Sequence, residues 1–503
     1  MPIGYDFSGD EDSVKRLIKN YSTSDVLKWI NQEANDIFNN NQEIRGAKRV
    51  TYPVYRKHSR IPILEKAIIQ SWSLIDLAYY SIVFSNDFRG KKIEQSNEFY
   101  VMTVAVDNYR EREEKEWLDS LSGNNPEFFF YLWGFAGEQF KFQSLKAFDS
   151  LGRDLYIIFE VSKKCSKQYD FNRCVEEEVG VGWKDVVTSL LLAWLGYTRC
   201  NTMEQIIDMC GFASEKKRCV FEKVISYYTT SYHEVRNSPL KRQLLYAKPF
   251  VKTQRNEVIG LGPYLNLSVL EHSIFWILRN YFQKQETNKQ EFTNYFGECF
   301  EQYFMELLQL YVDGNSFKKI PEKEKRRADW KIRLGKYNFL IEQKSSVMML
   351  SVKQQNTDVK AYEQYVKKTV IEAIEQLNST ESDFNEGQYI KVILLYEDYI
   401  KAELLDAVFG LPECTVENDH LFWLMTIDEM ERLLWLYKNN KTVFMRIIEE
   451  KVDREISFSK EGRSIELLLD NNGIMTNKHL CRPEIDCYRC AAKDGVKDFI
   501  YLN

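Results

Sequence analysis

Two carboxylates and an amine stand out in this chain for the chemistry their spacing permits. Asp329 sits in Ala328-Asp329-Trp330, and Glu342-Gln343-Lys344 closes the apolar run that begins at Tyr337. Carboxylate oxygens are hard ligands suited to Mg2+ or Mn2+, ions that keep part of their water shell and bridge to substrate phosphate. A bound divalent ion lowers the pKa of its water and offsets the charge that develops on phosphate, while a neighbouring amine orients or deprotonates the attacking water. These residue types point to metal-assisted hydrolysis of a phosphate ester.

Strands must hold these groups. Trp330, Ile332 and Leu334 fall on one face of an alternating segment and Asp329, Lys331 and Arg333 on the other. Gly335-Lys336 offers a turn. In the next segment Leu340, Glu342 and Lys344 share a face, so the carboxylate and the amine project side by side. Upstream, Phe292, Phe296, Phe300, Phe304 and Leu307 recur at helical spacing, with Glu301 at the edge of the stripe. Gly297, one turn earlier, leaves room for another segment to approach. Downstream, Tyr362, Val366, Val370, Ile374 and Leu377 predict a second amphipathic helix, and Tyr389 to Tyr396 reads as a buried parallel strand reached by a right-handed crossover. Acid-x-Lys triplets also begin at Glu113, Glu215, Asp358 and Glu449, but in polar stretches of helical character. Only Glu342-Gln343-Lys344 ends a strand-like run, thirteen residues after an Asp on an alternating strand.

An Asp and an E-x-K tripeptide on adjoining strands resemble the PD-(D/E)XK, or restriction-endonuclease-like, nuclease superfamily, over roughly residues 290–430. The resemblance implies an α/β fold with a mixed sheet core flanked by helices, in the order helix, three strands, helix, strand. It implies Asp329 and Glu342 as metal ligands, the Gln343 carbonyl as a further ligand, and Lys344 as the water-activating residue. A helix carboxylate is the implied outer partner of the metal, with Glu301 the first choice and Glu298 the second. The implied cofactor is Mg2+ or Mn2+. Ala328 departs from the pattern, since the name-giving Pro would stand there.

Charge adds to this picture locally. The whole chain is acidic, at net −6, which argues against indiscriminate nucleic-acid binding. From Lys318 to Lys336 the balance reverses, and Lys325, Arg326, Arg327, Lys331 and Arg333 are the expected nucleic-acid contacts. A solvent-facing charged loop and hairpin is the plainer meaning of the same run. Gln364, Lys367 and Gln376 add polar groups within reach of a phosphate on the second helix.

At 503 residues with 44% hydrophobic and 14% aromatic content, the chain can bury two or three cores. The expected division is 1–245 as a mainly helical recognition or regulatory region, 246–440 as the nuclease-like domain and 441–503 as an extension. It rests on Lys248-Pro249 and Gly260-Leu261-Gly262-Pro263. Leu64 to Phe84 and Trp183 to Leu195 predict core helices; Tyr100 to Val106 and Leu155 to Val161 predict strands. Phe128 to Trp133 reads as a buried segment or interface rather than a base-stacking platform. Thr426, with Glu429 three residues later, predicts a capped helix start. His479, Cys481, Cys487 and Cys490 could hold Zn2+, but with one C-x-x-C pair only, free buried thiols are the preferred reading.

The chain has no G-x-x-x-x-G-K-[ST] loop and no H-E-x-x-H or G-x-S-x-G motif. It has no run of eighteen apolar residues and no amino-terminal signal pattern, and its ten Cys do not form a small disulfide scaffold, so a cytoplasmic protein without membrane contact is expected. The expected function is that of a metal-dependent endonuclease hydrolysing DNA. Its architecture is analogous to bacterial restriction or anti-phage defence nucleases, with companion defence proteins and a homo-oligomer as compatible partners. RNA as the substrate, or a non-catalytic nucleic-acid-binding or scaffold protein of the same fold, stand as alternatives.

Overall fold

Long apolar runs decide the amino-terminal architecture. The computed structural model describes residues 10–40, 46–54, 63–120, 147–285, 290–321, 327–345, 364–384, 387–396, 402, 404–409, 416, 418–456 and 464–500. These form a mixed α/β fold, with helices dominating the amino-terminal half and the described strands arranged in three sheets. Strand β1 (Ala47–Val54) pairs antiparallel with β2 (Ile63–Gln70), and the chain turns directly from β2 into the Ser71–Phe84 helix. The expected Leu64 to Phe84 helix is therefore a strand followed by a helix.

The predicted strands at Tyr100 to Val106 and Leu155 to Val161 are corrected to helix, within Ser96–Ser120 and Ala147–Phe159, with Val161 in a short 3-10 turn. Both runs are buried around most of their circumference, with Leu151, Leu155 and Ile158 at helical spacing, and a continuous apolar run has no period that separates strand from helix. The Trp183–Tyr197 helix forms as expected and continues through Gly196, where a Cβ would lie 2.7 Å from Ile206. Pro263 opens the Pro263–Glu271 helix, and Thr426 caps Ile427–Asn439 in a reciprocal box with Glu429. Phe128 to Trp133 lies outside the described residues.

One core gathers residues 14–106 with 232–265, and another runs from Ala147 to Phe499. Strands β3 (Thr229–Ser231), β4 (Phe250–Lys252) and β5 (Val258–Gly260) form a sheet in that order. Residue 245 lies between β3 and β4, so this sheet and the first core both span the expected division. No single described helix is long and apolar enough to cross a membrane. The Phe171–Val179 and Trp183–Tyr197 helices together have the length, but they meet at 55° and send Val175, Val187 and Leu191 into the core.

The carboxy-terminal sheet positions the candidate site. Its order is β10-β9-β8-β7-β6, from β6 (Phe317–Lys319), β7 (Trp330–Leu334), β8 (Tyr337–Lys344), β9 (Ile390–Leu395) and β10 (Phe422–Thr426). The β6–β7 and β7–β8 pairs are antiparallel, whereas β8–β9 and β9–β10 are parallel. Trp330, Ile332, Phe339 and Ile341 join the core that contains the Glu291–Tyr311 helix. Leu340, Ile393 and Leu395 face the opposite way, onto Val370, Ile374 and Leu377 of the π-turn Lys367–Ile371 and the Glu372–Ser382 helix. With helices on both faces, β9 is buried at every position, as its sequence predicts.

A buried ion pair fastens the two halves. Arg153 donates Nε to Glu431 Oε1 and Nη2 to Oε2, both at 2.7 Å, and Tyr303 and Asn477 donate to the same carboxylate at 2.5 Å each. Tyr396 donates to Asp154, whose second oxygen lies 2.8 Å from His272 Nδ1. Removing one member of such a pair strands the other charge in the interior. Glu431→Ala is expected to lower the unfolding free energy by about 3–5 kcal/mol in urea titration; a loss below about 1 kcal/mol would show that Arg153 finds water once its partner is gone.

Candidate metal and hydrolytic site

The geometry of the site follows from β8 outrunning β7. Their pairing stops at Trp330 opposite Ile341, whereas β8 stays paired with β9 as far as Lys344 opposite Leu395. From Glu342 onward, β8 therefore has a strand partner on one side only. Asp329 closes the gap: its backbone N–H donates to the Ile341 carbonyl at 3.0 Å, and its Oδ2 accepts the Gln343 N–H at 2.7 Å. A carboxylate takes the place of the missing strand. Lys344 turns its carbonyl to β9, where it accepts the Tyr396 N–H at 3.1 Å. Backbone groups of successive strand residues alternate sides, so the Gln343 carbonyl points with its N–H toward Asp329.

Glu342 is 4% exposed. Lys344 Nζ donates to Glu342 Oε1 at 2.7 Å and to Gln376 Oε1 at 2.9 Å, and Gln376 Nε2 donates to the Arg327 carbonyl at 3.3 Å. Glu342 Oε2 is buried and makes no hydrogen bond among the described residues. Burial, and then the charge of Asp329, outweigh the pull of Lys344 and push Glu342 up to about 8. Burial also pushes Asp329 up to about 6, helped by Glu301 and opposed by the Gln343 N–H, Lys344 and Lys319. Near neutral pH this pair retains a proton that a divalent cation would displace.

The helix carboxylates separate clearly. Glu301 pairs with Lys319 of β6, and its charge reaches Asp329. Glu298 instead accepts from the Ser166 N–H at 2.5 Å and the Ser166 hydroxyl at 2.8 Å, away from the pair. Gly297 does admit a neighbour: a Cβ there would lie 3.0 Å from Ser345 Oγ, just beyond β8. Among the described residues no three His, Cys, Asp or Glu side chains gather as a metal cage. Two carboxylates and a backbone carbonyl nevertheless fit Mg2+ or Mn2+, which are commonly held by one or two carboxylates with waters and substrate oxygens. The orphaned Glu342 oxygen is the observation that fits such an ion.

The expected nucleic-acid contacts are scattered. Lys325 and Arg326 lie outside the described residues. Arg327 is ion-paired with Asp383, Lys331 lies 4.5 Å over the Phe384 ring, and Arg333 is exposed near the hairpin turn. Arg333 stands four residues from Asp329, about 13 Å along the strand. Gln364 and Lys367 are exposed, whereas Gln376 is a partner of Lys344. That role was not read from the sequence, although the buried stripe Ala373, Ile374, Leu377 and Thr380 places Gln376 at the edge of the sheet-facing side. Of the decoy triplets, those at Glu113, Glu215 and Glu449 are on helices, and the one at Asp358 lies outside the described residues.

The His479 cluster resolves differently from expectation. His479 is buried with its ring nitrogens 3.0 Å from the Tyr303 and Tyr311 hydroxyls, and burial and nearby arginines lower it to about 3. Cys481 and Cys487 are exposed and Cys490 is half-buried. The expected buried thiols are thus free but mostly on the surface, because the Pro483–Ile500 helix turns Ile485, Ala492 and Phe499 inward instead.

No family model, curated protein or solved structure matches this chain. Its functional reading rests on the geometry.

Both acids titrate above their unfolded-state values, so the folded protein keeps protons that the unfolded chain sheds above about pH 4.5. The stability they contribute is complete below that pH and is lost as pH rises through 6 and 8. In EDTA, Glu342→Gln, which stays neutral, is expected to be more stable than the wild type at pH 8.5 by about 2 kcal/mol or more and no more stable at pH 5. Denaturant titrations at the two pH values check this; equal stability at pH 8.5 would mean that Glu342 is ionised without strain.

Proposed function

We propose that Asp329, Glu342 and Lys344 are the catalytic centre of a metal-dependent nuclease with a PD-(D/E)XK-like core, acting on DNA. The single observation that carries the reading is the buried Glu342 Oε2, which makes no hydrogen bond among the described residues, beside Asp329 at the one-sided end of β8. The order of elements supports it: the Glu291–Tyr311 helix, antiparallel β6, β7 and β8, the Glu372–Ser382 helix, then β9 parallel to β8.

In this reading Asp329, Glu342 and the Gln343 carbonyl would hold Mg2+ or Mn2+, and the charge of Glu301 reaches Asp329 from outside them. The ion, when bound, supplies Lewis-acid stabilisation of charge on the phosphate and a more acidic water. Lys344 Nζ, fixed by Glu342 Oε1 and Gln376 Oε1, would orient the attacking water through its remaining N–H. Gln376 acts through Lys344, as a positioning residue. Loss of the Asp329–Gln343 hydrogen bond would let the free edge of β8 move, so Asp329 has a structural as well as a ligating part.

Purified protein incubated with labelled DNA and RNA in Mg2+, Mn2+ or EDTA tests the proposal. DNA cleavage is expected only with metal, and Asp329→Ala, Glu342→Ala and Lys344→Ala should each lose about a hundredfold or more of the rate while staying folded. Gln376→Ala should lower kcat with little change in KM. Metal-dependent cutting that survives both carboxylate substitutions would locate the active site elsewhere, and cutting confined to RNA would change the substrate class.

A further inference from the structure

We propose that Cys165 and Cys299 form a reversible disulfide site, oxidised by hydrogen peroxide, that staples the Val161–Lys164 turn to the Glu291–Tyr311 helix. Both are free thiols, and their Sγ atoms lie 3.5 Å apart. The other cysteine sulfurs with a described partner meet Met209, an acid or a backbone carbonyl instead. The inference does not depend on the nuclease reading.

The surrounding hydrogen bonds make these two sulfurs neighbours although 134 residues separate them in the chain. Tyr295, one helical turn before Cys299, holds its hydroxyl 3.0 Å from the Ser162 carbonyl and 2.5 Å from the Lys167 carbonyl. Ser166, next to Cys165, gives its N–H and its hydroxyl to Glu298, next to Cys299. The Cys165 N–H closes onto the Ser162 carbonyl at 3.1 Å. The segment from Ser162 to Lys167 is therefore clipped to the helix on either side of the thiols. Bond formation needs a further approach of about 1.5 Å, and fixed proximity makes that step intramolecular.

Access is one-sided. Cys299 is 2% exposed, whereas Cys165 is half-buried among exposed Lys163, Lys164, Ser166 and Lys167. Hydrogen peroxide therefore meets Cys165. The Cys165 sulfur takes one peroxide oxygen as the O–O bond breaks, giving a sulfenic acid and one water. The Cys299 sulfur then gives up its proton and attacks the sulfenic sulfur; the S–O bond breaks, a second water leaves and the S–S bond forms. Two thiols have lost two electrons and the peroxide has gained them. Burial, only partly offset by the Cys299 contact and helped by Glu298, Glu306 and Glu301, pushes the Cys165 thiol up. Thiolate is scarce near neutral pH, so contact rather than activation favours the bond, and the reaction quickens as pH rises.

The helix joined in this way borders the candidate site. The Phe300 carbonyl accepts from Gln343 Nε2 at 3.4 Å, and Glu301 pairs with Lys319. A bond at Cys299 fixes the helix one residue from the first of these contacts.

Peroxide treatment of the reduced full-length protein at pH 8, followed by alkylation and non-reducing peptide mapping by mass spectrometry, tests the proposal. A Cys165–Cys299 linked peptide is expected, lighter by two hydrogens than its free parts and lost on adding dithiothreitol. The linked protein should melt at a higher temperature, because the bond restricts the unfolded chain. Cys165→Ser should give neither the link nor the rise. In Cys299→Ser, Cys165 should stop at the sulfenic acid and be trapped by dimedone. If that variant does not fold, the wild-type time course decides the order, with sulfenic acid at Cys165 preceding the linked peptide. Oxidation of Cys165 to the sulfinic acid without a link overturns the proposal. So does a link from Cys165 to another cysteine or to a second chain, or an unchanged melting temperature in the linked protein.

Discussion

The candidate site exists because two neighbouring strands end at different places. β7 stops pairing at Trp330, β8 runs on to Lys344, and the Gln343 N–H left on the unpaired side is taken by the Asp329 carboxylate. A half-buried backbone donor also needs a partner, and here the satisfying group is an acid one residue ahead of the strand. That one hydrogen bond holds Asp329 against the free side of β8, beside Glu342. A longer β7 would have used the same backbone groups for ordinary strand pairing.

Two buried ionic clusters in the same molecule differ in how fully their acids are satisfied. Glu431 is saturated by Arg153, Tyr303 and Asn477 and ties distant helices together. Glu342 receives the Lys344 amine on Oε1, its Oε2 makes no hydrogen bond among the described residues, and both it and Asp329 are displaced toward neutrality. Glu33 Oε1, another buried carboxylate oxygen without a hydrogen bond, still has Lys48 Nζ at 3.0 Å. An acid kept short of partners costs stability, and such groups concentrate where a ligand completes the set.

Legibility in the sequence followed the physics of periodicity. Alternation at Trp330, Ile332 and Leu334, the stripe from Phe292 to Leu307, and the Thr426 and Glu429 cap were each readable because one face is buried and the other is not. The runs at Tyr100 and Leu155 were not, because burial around most of the helix blurs the period. Within the candidate site, residue type and strand context singled out Asp329, Glu342 and Lys344, which the structure sets side by side. The Lys344 to Gln376 contact depends on how the second helix lies across the sheet, which no local pattern encodes. The two cores and the sheet that spans residue 245 likewise arise from long-range packing.

Anomalous diffraction from crystals grown with Mn2+ tests the central claim most directly. The account predicts a single strong peak within coordination distance of Glu342 Oε2, Asp329 and the Gln343 carbonyl, lost in Glu342→Gln. Full Mn2+ occupancy elsewhere with no density between Asp329 and Glu342, or an unchanged peak in Glu342→Gln, would contradict it.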